Sequence, residues 1–220
     1  MTNKPKQTQI KDNTKVSMMD VCQTPPHAVE PLYPYISKDR IIWESAAGPE
    51  QLIVGALYDN GYDNIIATDL SYGEEYNYFT YEPENYDLQL TNVPFSLKYD
   101  WIKLAFERGL PFAFIVPYET TFAKEFQVLF ARYNNNPYYI EVLSPERRIN
   151  FKMPFMGWGI KVWDEFKQKF VSKGESAQMP TMWLTWGLNV SATRNDYLRT
   201  FYVPMRNVKY NEDNTEKKGK

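Results

Sequence analysis

The sequence predicts an α/β fold, a mostly parallel sheet with helices on both faces. Three observations carry this expectation. Short apolar runs alternate with segments of helical periodicity, the pattern that lays crossover helices over a parallel sheet. The run Phe112-Ala113-Phe114-Ile115-Val116 is apolar throughout, as in a central strand covered on both sides. Ile41 to Tyr58 reads as strand, small-residue turn and helix.

Residues 1–17 are rich in Lys, Asn, Gln and Thr and predict a mobile segment. A single domain is expected over 18–206, followed by a charged tail over 207–220. A chain of 220 residues, 43% of them hydrophobic, suits one domain with a sizeable core rather than two. Pro31 and Pro34 keep any helix between Val29 and Ile36 short. Ile41-Ile42-Trp43-Glu44 is the first strand, and Ser45-Ala46-Ala47-Gly48 is a turn whose small residues let backbone approach a ligand. Pro49 suits the first turn of a helix running to about Tyr58, which Asn60-Gly61 ends. Ile65 to Leu70 is the second strand, with Asp69 at its end. Tyr86 to Leu90 is the third.

Trp101, Leu104, Ala105 and Phe106 have near-helical spacing, with Lys103 and Glu107 as an i,i+4 charge pair. Gly109 and Pro111 end that helix, and Pro117 ends the strand that follows. Thr121 to about Tyr133 reads as an amphipathic helix, Asn134-Asn135-Asn136-Pro137 as a breaker, and Tyr139 to Leu143 as a strand. No internal repeat is evident.

The functional reading starts at Thr91-Asn92-Val93-Pro94-Phe95-Ser96. The Asn92 amide oxygen and the Val93 carbonyl could each accept a hydrogen bond from one NH₂ group. Pro94 fixes φ and has no N–H to compete. Phe95 offers a face on which a flat ring can stack. Two acceptors converging on an amine raise electron density on its nitrogen and prepare it to attack an electrophilic methyl group. An ordinary strand-to-loop turn capped by Asn has the same residues. Asp69, after the second strand, is placed to bind ribose hydroxyls. Gly48, Asp69 and Asn92 all fall at carboxyl ends of strands, where open α/β sheets bind ligands.

These segments resemble the Rossmann-like S-adenosylmethionine-dependent methyltransferases with an Asn-Pro-Pro-aromatic motif, especially phage-type N6-adenine methyltransferases. The likeness covers roughly residues 20–190. Gln23-Thr24-Pro25-Pro26-His27-Ala28-Val29 resembles the segment before the first strand, and Trp43 to Glu50 the cofactor loop. Thr68-Asp69-Leu70 resembles the ribose-binding acid and its neighbour. Tyr81 to Asp87, Arg148 to Pro154 and Ser176 to Gly187 resemble further segments of the family.

The resemblance implies a Rossmann-like methyltransferase fold and S-adenosylmethionine as cofactor. It implies Asn92, Val93, Pro94 and Phe95 as the catalytic turn, and Thr24, Pro25, Glu44, Ala46, Gly48, Asp69, Leu70 and Asn77 as cofactor-binding residues. The target it implies is nucleic acid, with adenine N6 in DNA ahead of RNA. Cytosine N4, an RNA adenine and a glutamine amide are compatible with the same turn. Three positions depart from the family pattern. Val93 stands where the family usually has Pro, Asn77 where it commonly has Asp, and Glu50 where many methyltransferases carry a second Gly. These departures motivate a second reading, a catalytically inactive methyltransferase-fold protein that binds ligand or nucleic acid. A nucleotide-dependent oxidoreductase shares the strand–glycine-turn–helix pattern, but the missing second glycine and the Asn-x-Pro-aromatic turn speak against it.

Composition narrows the chemistry. A formal net charge of −2 argues against non-specific nucleic-acid binding driven by bulk charge. A local basic surface could form from Arg147, Arg148, Lys152, Lys161, Lys167, Lys169 and Lys173, or these could be a solvated face. One Cys and one His rule out a Cys-based zinc cluster, and no metal is expected. Cys22 and His27 lack a third group to orient a nucleophilic pair, so a buried thiol and a surface imidazole are expected. No apolar run reaches a membrane span and the polar N-terminus is no secretory signal, so a cytoplasmic protein without membrane contact is expected, in the host cytoplasm if phage-encoded. Of the 17 Tyr, 13 Phe and 6 Trp, most should be core, including Trp43, Trp183 and Trp186. About Phe155 to Met179 is the expected nucleic-acid-contacting insertion, with Trp158, Trp163 and several lysines.

Overall fold

The computed structural model describes residues 20, 22–134, 138–145, 148–151, 160–166, 168–173 and 180–190. The expectations for 1–17 and 207–220, and for Arg147, Lys152, Trp158 and Lys167, lie outside these residues.

The chain forms an α/β domain around a six-stranded mixed sheet. In sequence order the elements are β1 (Ile42–Glu44), α1 (Leu52–Asp59), β2 (Ile65–Ala67), β3 (Leu88–Asn92), α2 (Lys98–Arg108), β4 (Phe112–Pro117), α3 (Lys124–Tyr133) and β5 (Ile140–Leu143). A separate hairpin, β6 (Ile160–Asp164) and β7 (Lys169–Lys173), precedes β8 (Thr181–Trp186). The sheet order is β2-β1-β3-β4-β8-β5. β2, β1, β3 and β4 pair in parallel, while β8 lies antiparallel between β4 and β5. Five strands therefore point one way and β8 alone runs back.

Period-two alternation divides the core into two layers. Ile42, Leu88, Leu90, Ala113, Ile115 and Trp183 pack on one face with Ile53, Ala56 and Leu57 of α1. Trp43, Phe112, Phe114, Val116, Leu184 and Trp186 pack on the other with Trp101, Ile102, Ala105 and Phe106 of α2 and Phe126 and Leu129 of α3. Helices thus cover both faces. Trp43 and Trp183 are fully buried and Trp186 is buried, as expected of core residues. The Lys103–Glu107 pair forms at 3.9 Å on the exposed side of α2.

Several boundaries move. Thr91 and Asn92 belong to β3 because they pair with Phe114 and Ile115 of β4, so the third strand lies two residues later than its apolar run suggests. Pro117 is the last residue of β4 rather than the stop after it. α2 starts at Lys98, and α3 starts at Lys124 after a 3-10 turn over Tyr118–Phe122. β2 ends at Ala67, and Leu70 opens a 3-10 turn capped by the Asp69 side chain. Pro49 sits in the turn before α1, because Gln51 at φ 47° separates that turn from the helix. The proline-rich stretch forms 3-10 turns at Pro26–Ala28 and Glu30–Tyr35.

Candidate functional site

From β1 the chain passes to β2 on one side and then to β3 on the other, so the sheet's topological switch lies between β1 and β3. Ligands of open α/β sheets bind outside the carboxyl ends of strands at such a switch. Glu44 ends β1 and Asn92 ends β3.

Glu44 is fully buried. Its Oε1 accepts from the Thr91 hydroxyl and, at 3.2 Å, from the Ala46 N–H. Its Oε2 is buried and has no hydrogen-bond partner among the described residues. Burial pushes the Glu44 carboxyl up to about 8; the Thr91 and Ala46 hydrogen bonds pull the other way, and the Asp69 charge adds to the rise. The Asn92 Oδ1 is likewise buried and has no hydrogen bond among the described residues. An unsatisfied buried polar group costs about 1–3 kcal/mol. Two such buried polar oxygens on neighbouring strand ends form an arrangement that a polar ligand would complete.

The turn between β1 and α1 is held from several sides. Gly48, at φ 64°, donates its N–H to Asp69 Oδ2 at 2.9 Å. Its carbonyl accepts from the Tyr72 hydroxyl at 2.7 Å, and that hydroxyl accepts in turn from Gln51 Nε2 at 2.9 Å. A Cβ at Gly48 would lie 2.3 Å from Gln23 Nε2. Thr68 N–H donates to Glu44 O, Ala47 N–H donates to Thr68 O, and Gln89 Nε2 donates to Ser45 Oγ. The first two bonds fasten the turn to the end of β2, and the third fastens it to β3.

Asp69 also accepts from the Ser71 N–H and hydroxyl through Oδ1. With the Gly48 bond, three of about four carboxylate lone-pair sites are engaged. The expected ribose acid therefore also shapes the loop that would hold the cofactor. Leu70 beside it is 38% exposed.

The segment before β1 joins the two turns. Asp20 accepts from the Ser96 N–H and hydroxyl, while Gln23 lies against Gly48. Thr24 is buried, and Pro25 is half-buried. In the turn after β3 Val93 is 1% exposed and packs with the α2 layer. Pro94 has φ −56°. Phe95 is half-buried and meets Phe151 edge-on, with ring centroids 6.1 Å apart.

Asn77 is held differently. Its Oδ1 accepts from the Phe79 N–H at 3.1 Å, capping its own turn. Among the described residues it makes no hydrogen bond to Glu44, Asp69 or Asn92. Its segment is clamped by Arg108, which donates to the carbonyls of Tyr78 and Tyr81 at 2.7 and 2.8 Å. The guanidinium lies 4.3 Å from the Tyr78 ring centroid and 4.9 Å from that of Trp43. Sequence reading missed Asp20 and Arg108 and placed Thr91 and Gln23 in motifs without a role of their own, because the partners of all four are far off in the chain and leave no local pattern. Cys22 is half-buried, and burial with the Asp20 charge pushes its thiol up, away from a reactive thiolate.

A cleft of about 600 Å³ lies at the amino edge, lined by Ile41, Pro83, Glu84, Asn85, Asp87 and Leu110 among others. It holds none of the predicted site residues. The strand-end geometry, not this open cleft, marks the candidate site.

Among the described residues no group of three His, Cys, Asp or Glu side chains could hold a metal ion. No described helix is long and apolar enough to cross a membrane. No protein-family model matches the chain, and no curated protein matches it.

Proposed function

We propose that the protein is a methyltransferase of Rossmann-like fold that modifies an exocyclic amine of a nucleic-acid base, with adenine N6 in DNA as the first target. The observation that supports this reading is the pair of buried oxygens, Glu44 Oε2 and Asn92 Oδ1, that have no hydrogen-bond partner among the described residues, at the switch point beside the Gly48 turn. S-adenosylmethionine would supply a sulfonium methyl whose carbon–sulfur bond breaks, its electron pair returning to sulfur, as the target amine bonds to carbon and passes a proton to solvent.

The residues fit such a ligand. Glu44 Oε2 would take a donor or a positive charge. Asp69 keeps one acceptor site for a hydroxyl, and the small turn from Ser45 to Gly48 admits close approach. Thr24, Pro25, Ala46 and Leu70 line the same loop region in this reading. At the target, Asn92 Oδ1 and the Val93 carbonyl accept from the amine and orient its lone pair. Pro94 holds the turn rigid, so the acceptors need little reorganisation as charge develops.

The second reading is a methyltransferase-fold protein that binds without turnover. Val93 in place of a proline favours it, as does Asn77, whose amide oxygen caps its own turn. Calorimetry with S-adenosylmethionine and incorporation of tritiated methyl into DNA, RNA and protein separate the two. Binding with transfer supports the enzyme, and binding without transfer supports the second reading. Absence of binding removes the enzyme and leaves the second reading only as a protein that binds nucleic acid.

A further inference from the structure

The chain between β5 and β8 leaves and re-enters the sheet at one edge. β5 ends at Leu143, opposite Trp183, and β8 begins at Thr181, opposite Pro117 at the end of β4. This is the carboxyl edge, where Glu44 and Asn92 lie. Ile149 and Phe151 are each 1% exposed, and Phe151 packs on Phe95. The root of the excursion is therefore seated on the turn that follows Asn92.

Further along, the β6–β7 hairpin carries aromatic side chains into solvent. Trp163 stands directly opposite Phe170, with ring centroids 5.2 Å apart in an edge-on contact. Trp163 is 50% exposed, Phe170 65% and Phe166, at the tip, 101%. At the tip the Phe166 N–H donates to Asp164 Oδ1 at 3.0 Å and Gln168 Nε2 to Glu165 O at 2.7 Å. Exposed aromatic surface of this extent marks an interaction site. Residues 160–173 hold Lys161, Lys167, Lys169 and Lys173 against Asp164 and Glu165 alone, in a chain whose overall charge is −2. Cores of protein–protein interfaces are depleted in lysine. Exposed aromatic residues in a lysine-rich segment fit a nucleic-acid strand, with rings taking bases and ammonium groups taking phosphates.

We propose that this hairpin is a finger that engages the nucleic acid next to the target base. Phe166 stacks on a neighbouring base or fills the space the target vacates, and Trp163 and Phe170 support it from behind. An enzyme that modifies a base must take it out of the stack, and an apolar wedge is a physical means of holding the opened strand. The proposal rests on the reading of the site given above.

The test is fluorescence anisotropy of the full chain with a labelled adenine-containing DNA duplex, and with RNA of the same sequence. The variants are Phe166→Ala and the double variant Trp163→Ala/Phe170→Ala, all at exposed positions. Kd for nucleic acid should rise at least about tenfold for each variant, while calorimetric affinity for S-adenosylmethionine stays unchanged. A rise confined to one of the two nucleic acids assigns the strand as DNA or RNA. Equal affinities in variants and wild type overturn the finger, as does wild type that binds neither nucleic acid. Self-association abolished by Phe166→Ala, with nucleic-acid affinity unchanged, assigns the hairpin to a second copy and also overturns it. Hairpin-dependent binding without any methyl transfer leaves the finger standing and removes the transferase reading. Transfer at wild-type rate by every variant, with nucleic-acid affinity also unchanged, removes the finger alone.

Discussion

The Thr91 hydroxyl donates to Glu44 Oε1 and joins the ends of β3 and β1, residues 47 positions apart. The bond fixes one oxygen of a fully buried carboxyl, and the other has no partner among the described residues. It also sets Asn92, the next residue, beside the turn that Glu44 begins. The two halves of the candidate site are positioned by the same contact.

Glu44 should give stability a pH dependence of identifiable sign. Its folded value, about 8, lies above the ordinary 4.5, so the neutral form is the one the fold favours. The contribution is complete below the unfolded value and is lost as pH rises through the folded one. Glu44→Gln keeps a neutral group of similar shape. Between about pH 5 and about pH 9 the wild type should lose about 3–4 kcal/mol of unfolding free energy relative to the variant. Urea titrations at several pH values measure this difference. Parallel curves would mean that Glu44 is ionised and paired. A ligand that brings a cation to Oε2 reverses the shift, so its binding near neutral pH should release a proton to buffer.

Gly48→Ala should destabilise the domain through two separable effects. The residue sits at φ 64°, and a new Cβ would meet Gln23 Nε2 at 2.3 Å. The backbone alone should cost roughly 1 kcal/mol. Adding Gln23→Ala removes the collision and leaves the φ penalty, so the double variant should recover part of the loss. A thermal-unfolding cycle reads the coupling. Strict additivity would show that Gln23 moves aside at no cost.

The sheet was legible where the signal is local. Apolar runs at Ile65, Phe112 and Ile140 became strands, and the small turn at Gly48 took positive φ. Direction was not legible: Thr181–Trp186 is apolar like a parallel strand, yet it runs antiparallel between β4 and β5. The hairpin escaped because Trp163 and Phe170 face solvent, so its aromatic residues do not report a core. At the site, residue types at strand ends pointed to Glu44, Asp69 and Asn92. Their actual states depend on Thr91, Gly48 and Ser71, and two of those three contacts are long-range. Phe95 was expected to offer a ring face, and its edge-on contact with Phe151 could not be read from a single motif.

Asp69→Ala should weaken S-adenosylmethionine binding by about 1–3 kcal/mol, the range for hydrogen bonds to a charged group. Because Asp69 also holds the Gly48 and Ser71 N–H groups, amide exchange at both positions should accelerate in the free protein. Calorimetry and hydrogen exchange on one sample read the two effects. Unchanged affinity together with faster exchange would assign Asp69 to the loop alone.

Asn92→Ala removes the buried acceptor at the end of β3 and leaves the Gly48 turn untouched. Methyl transfer should fall at least about a hundredfold, as on losing one preorganised polar group from a transition state. Cofactor affinity should hardly change, which separates this variant from Asp69→Ala. Val93→Pro tests the rigidity of the same turn. Asn92 is a strand residue, the conformation a residue before proline prefers, so the backbone tolerates the change on that side. Val93 is buried against the α2 layer, and folding should be checked by circular dichroism before rates are compared. If turn flexibility limits the wild type, Val93→Pro should raise the single-turnover rate on adenine-containing DNA. Tritiated methyl incorporation by each variant is the measurement. No incorporation by wild type into DNA, RNA or protein, and no rescue by Val93→Pro, would replace the transferase with a protein that binds without turnover.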